Sequence, residues 1–62
     1  MSPPLDFNVL SALLHFLSPE EIHQLFHMLK DELQALNVNV TVPDTATVPA
    51  VIFMAQVLAR YQ

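Results

Sequence analysis

His23 and His27 stand four residues apart, a spacing that on a helix projects both imidazoles from one face. Asp31 follows at the same interval and Glu20 lies one turn earlier. Imidazole and carboxylate gathered in this way can hold a divalent metal such as zinc. The residue after His23 is Gln24 rather than Glu, so the segment departs from the His-Glu-x-x-His pattern of zinc hydrolases. The same side chains also form the polar side of a strongly amphipathic segment, where imidazoles simply meet water. This simpler reading is the favoured one, and it assigns no metal ligand.

A second pairing, Ser11 with His15, has the spacing of a hydroxyl beside a base. Nucleophilic catalysis needs more than that. No carboxylate stands where it could orient His15, and an oxyanion site is commonly built on a glycine turn that this chain cannot make, because it contains no glycine. The lack of glycine also excludes a phosphate-cradling loop, and the lack of cysteine excludes thiol chemistry, disulfides and cysteine-ligated zinc. Glu20–Glu21 and Asp31–Glu32 are neighbours in sequence, so on a helix their carboxylates diverge by about 100° and make no acid–base pair. The expectation is a protein that is not an enzyme, with no catalytic residue and no cofactor.

Composition points elsewhere. Hydrophobic residues make up 53% of the 62 and charged residues only 13%, against a usual charged share of about 25%. A small domain exposes proportionally more surface and so needs more charge, not less. Part of the folded surface is therefore expected to be apolar, as contact sites are. The net charge of −4, with Lys30 and Arg60 the only basic side chains, argues against binding a nucleic-acid backbone or an acidic membrane. No stretch is long and apolar enough to span a bilayer, and the N-terminus lacks the basic start of a secretory signal, so a cytoplasmic location is the default expectation.

These residues must be positioned by a few elements. Met1–Leu5, with Pro3 and Pro4, is expected to be extended. Asp6 can cap a first helix over about Phe7–Leu17, whose apolar face is expected to be Val9, Leu10, Leu13, Phe16 and Leu17, widened by Leu14. That face covers more of the circumference than one packing partner needs. Ser18-Pro19-Glu20-Glu21 has the pattern of a capping box with proline at the first helical position. The second helix should run to about Leu36 with Ile22, Leu25, Phe26, Leu29, Leu33 and Leu36 in one stripe. With almost no linker between them, these two helices are expected to form an antiparallel or crossed αα-hairpin.

From Asn37 to Val42 the period changes to two, with Val38, Val40 and Val42 on one side, which reads as a short strand or an extended connector. Thr47 can cap a third helix over about Val48–Arg60. Almost every residue of that helix is apolar, as in helices buried on all sides.

The expected fold is mainly α: three helices and one short extended or β segment, completed by dimerisation. The chain reads as one small association domain, and it could also be the first domain of a longer protein. Function is expected to be non-enzymatic protein–protein interaction, most directly as a homodimer. Its contact residues would be Val51, Ile52, Met54, Ala55, Leu58 and Ala59 of the third helix with Val38, Val40 and Val42 of the strand. Two other readings remain open: a small acidic regulatory or inhibitory protein acting on a basic partner, and a metal-linked module built on His23 and His27.

Overall fold

The computed structural model describes residues 6–61. The extended segment expected at Met1–Leu5 lies outside them. Three helices follow one another: α1 (Phe7–Leu14), α2 (Pro19–Ala35) and α3 (Val48–Ala59).

Each helix begins on a side-chain cap. The Asp6 carboxylate accepts hydrogen bonds from the amides of Asn8 and Val9. At α2 the reciprocal box forms: the Glu21 amide donates to Ser18 Oγ at 3.1 Å, and the Ser18 amide donates to Glu21 Oε1 at 2.8 Å. Thr47 Oγ1 accepts from the Ala50 amide, and Pro49 sits in the first turn of α3, where its missing N–H removes no helical bond.

The ends depart more from expectation. α1 stops at Leu14 rather than Leu17. The amides of Phe16 and Leu17 donate to the carbonyls of Leu13 and Leu14, a tightened i→i−3 pattern. Ser18 then takes the extended conformation that its capping role demands (φ −70°, ψ 160°), so the helix cannot continue into it. α2 ends on Asn37, whose φ of 58° is left-handed. The Val38 amide donates to the Leu33 carbonyl and the Asn37 amide to that of Gln34. These are the two bonds of a Schellman stop, made here with asparagine in place of glycine.

Of the two readings of 38–42, a short strand or an extended connector, the connector is the one that forms: there is no strand among the described residues. Asn37 belongs to the helix end, and the Val40 amide turns back to the Val38 carbonyl. Val38, Val40 and Val42 alternate as expected, but they lie half-buried against the chain's own core. The period of two reflects an extended connector laid over the helices.

The antiparallel form of the expected αα-hairpin is corrected as well. α3 packs against both α2 and α1, whereas α1 and α2 do not pack along each other. The core is Leu14 of α1, Ile22, Phe26 and Leu33 of α2, and Ala50, Val51, Met54 and Val57 of α3. No polar or charged side chain is buried with them among the described residues. α3 is therefore the central element, but it is not enclosed all round: Pro49, Phe53, Gln56 and Ala59 remain exposed. The principal dimensions are 33 × 30 × 14 Å, a slab less than half as thick as it is wide.

Candidate functional site: an uncovered apolar face on α1

α1 is uncharged from Phe7 through the turn that ends at Leu17. Its apolar residues divide into two stripes, each at i, i+4, i+7 spacing. Leu10, Leu14 and Leu17 face the core, with Leu14 buried and the other two half-buried. Val9, Leu13 and Phe16 face outward and are 54%, 58% and 87% exposed. α3 covers one stripe, and among the described residues nothing covers the other. Exposed leucines are ordinary when scattered. Val9 and Leu13 of α1 and Phe16 of the turn that follows it, with no charge between them, are not scattered.

The nine contact residues expected from sequence fall differently. Val51 and Met54 are 1% and 0% exposed inside the chain's own core. Ile52, Ala55 and Leu58 are half-buried, as are Val38, Val40 and Val42, and only Ala59 is exposed. The structure gathers no uncovered patch from this set. Three aromatic side chains are also accessible: Phe16, Phe53 at 38% and Tyr61 at 58%. Met28 of α2 is exposed as well. The α1 stripe had one sequence signal, an apolar face too wide for a single packing partner.

On the other side of α1 a shallow groove of about 340 Å³ runs between α1 and α3. Ser11 and His15 form one wall, and Val48, Pro49, Ile52, Phe53 and Gln56 form the other. His15 Nδ1 lies 2.7 Å from the Ser11 carbonyl oxygen. A carbonyl only accepts, so Nδ1 carries the proton and donates. The Ser11–His15 pairing is thus a side chain bound to a helix carbonyl, not a base bound to a hydroxyl, and no carboxylate lines the groove. Nucleophile activation has no geometry here.

On α2, His23 and His27 lie with ring centroids 4.4 Å apart and planes at 70°, an edge-on contact, and Phe26 meets His27 similarly at 5.4 Å. Both histidines are exposed. No group of three or more His, Cys, Asp or Glu side chains converges on one point among the described residues. Glu21 is the acid whose titration is visibly displaced: the Ser18 amide, then the Ser18 hydroxyl, hold its carboxyl below the ordinary value of 4.5. That shift belongs to the cap, not to a reactive site.

No described helix is long and apolar enough to cross a membrane. Comparison with protein-family models, with curated proteins and with solved structures found no match.

Proposed function

We propose that this protein is a non-enzymatic association module that pairs with a second copy of itself through the outer stripe of α1. The observation that carries the reading is the exposure of Val9, Leu13 and Phe16 in one uncharged row. Two further features favour a second copy as the occupant. Like charges oppose self-association in a chain of net charge −4, yet no carboxylate lies within the row itself: Asp6 caps the start of α1, and Glu20, Glu21, Asp31 and Glu32 stand on α2. Two such rows meeting antiparallel keep their Asp6 carboxylates at opposite ends of the contact. The i, i+4, i+7 spacing is also self-complementary: across a two-fold axis an antiparallel α1 pair interleaves identical rows.

Size sets the strength. The three side chains present roughly 400 Å² per copy, so a symmetric pair hides roughly 800 Å² before rim residues are counted, below the about 1,200 Å² at which stable specific contacts begin. The expected assembly is a reversible dimer that dissociates on dilution, not an obligate one. Phe16 is the natural probe because its ring has almost no role in the chain's own packing. Phe16→Glu should leave the helical content and melting of the single copy unchanged while abolishing the increase of sedimentation mass with concentration. A variant that associates like the parent would overturn the reading, as would a parent that stays monomeric near millimolar concentration.

A further inference from the structure

We propose that His23 and His27 form half of a zinc site, completed by the same pair from a second copy, so that zinc joins two chains through α2. The argument starts from coordination number. Structural zinc is held by four ligands in a tetrahedron, with imidazole nitrogens at about 2.0–2.1 Å. One helix can supply two imidazoles from positions four apart, and these two are already drawn together, with ring centroids 4.4 Å apart at the surface. A third ligand is missing within the chain, since no group of three His, Cys, Asp or Glu side chains gathers among the described residues. A bidentate pair leaves two zinc positions to water or to another molecule. The pair on a second chain has the right number, the right atoms and the same spacing. An antiparallel crossing of two α2 helices presents it by symmetry.

Charge makes the contact metal-dependent. Glu20 and Asp31 lie one turn to either side of the pair on the same surface of α2, and Lys30 is the only base in that helix. Bringing two such faces together without a cation sets carboxylate against carboxylate. A divalent ion between them offsets that repulsion and is itself favoured by the negative surroundings. Imidazole and the borderline character of zinc match one another, whereas calcium and magnesium prefer oxygen ligands, so neither should substitute. This site stands apart from the α1 stripe and does not depend on it.

The test uses the full chain, stripped of metal with a chelator, and the Phe16→Glu variant, in which α1 pairing should be absent. Zinc is titrated by calorimetry, and mass is followed by sedimentation. The expected result, in both proteins, is one zinc bound per two chains. In Phe16→Glu the mass should double on zinc addition and return on chelation. His23→Ala and His27→Ala should each lose the doubling, and magnesium should produce none. Absence of zinc binding overturns the proposal. So does one zinc per chain with unchanged mass, which would mean a two-imidazole site closed by water, and so does doubling that survives both alanine variants. The α1 reading fails on a different observation, the chelated parent and Phe16→Glu showing identical association, so the two outcomes cannot be confused.

Discussion

The Ser18–Glu21 pair shows what two side chains do for this fold. Helix α2 begins immediately after a tight turn, and its first amides have no helical acceptor. Ser18 Oγ takes one of them, and Glu21 returns a carboxylate to the Ser18 amide. Ser18→Ala should lower stability by about 1 kcal/mol through the lost cap, measurable by urea unfolding. The carboxylate adds a pH dependence whose sign is fixed. Its folded-state pKa lies below the ordinary 4.5 because the charged form accepts the Ser18 amide. An unfolded chain then binds a proton there more readily than the folded one. The contribution is fully present above 4.5 and disappears as pH falls through the lowered folded value. Glu21→Gln keeps an acceptor oxygen for the Ser18 amide but cannot titrate. Its melting temperature should therefore fall less steeply than the parent's on acidification below about 4.5; parallel profiles would show that this group does not contribute.

At the level of elements, the starts of helices were legible and their ends were not. Asp6, Ser18 and Thr47 each announced a cap by residue type and position, and all three caps form. The α2 stripe was equally plain, because its polar and apolar residues separate cleanly: Ile22, Phe26 and Leu33 are buried as expected, though Leu36 at its end is 48% exposed. The end of α2 was hidden because the usual stop residue is glycine and this chain has none. Asn37 performs that task, since asparagine tolerates the left-handed region better than most residues. The alternating valines after it then imitated a strand. Asn37→Val should cost about 1–2 kcal/mol, because a β-branched residue is poorly accommodated at φ 58°, while Asn37→Gly should be close to neutral. Equal stability of the valine and glycine variants in chemical denaturation would refute the assignment. α1 was undecidable for a different reason. Its two apolar stripes are both rich in large side chains, so periodicity alone could not say which one meets α3. Sequence reading gave Leu14 a subsidiary place, and the structure makes it the one buried residue of that helix.

The molecule as a whole is a thin sheet of helices with little interior. Its radius of gyration is 11.6 Å, against about 10.6 Å for a compact chain of this length. Among the described residues, Leu33, Met54 and Val51 are the large side chains sealed to below 2% exposure. Domains this small sit close to the balance between burial and chain entropy. A core so limited cannot be trimmed cheaply, and Met54→Ala should cost about 2–5 kcal/mol, enough to leave much of an isolated chain unfolded. The composition that pointed to association, rich in apolar residues and poor in charge, is therefore realised in an unexpected place. α3 spends much of its apolar surface on holding α1 and α2 together, and the row Val9, Leu13 and Phe16 at α1 is part of the surplus left outside. If a second copy covers that surplus, association and folding are linked, and the melting temperature of the parent should climb as concentration rises from roughly 1 µM to roughly 1 mM. The same series for Phe16→Glu should be flat, because the charge blocks the contact without touching the core. Met54→Ala should regain part of its lost stability at the upper end, since pairing adds to whatever folding remains. Superimposable melting curves for the parent at both concentrations would mean that this slab is stable alone with its α1 stripe in water.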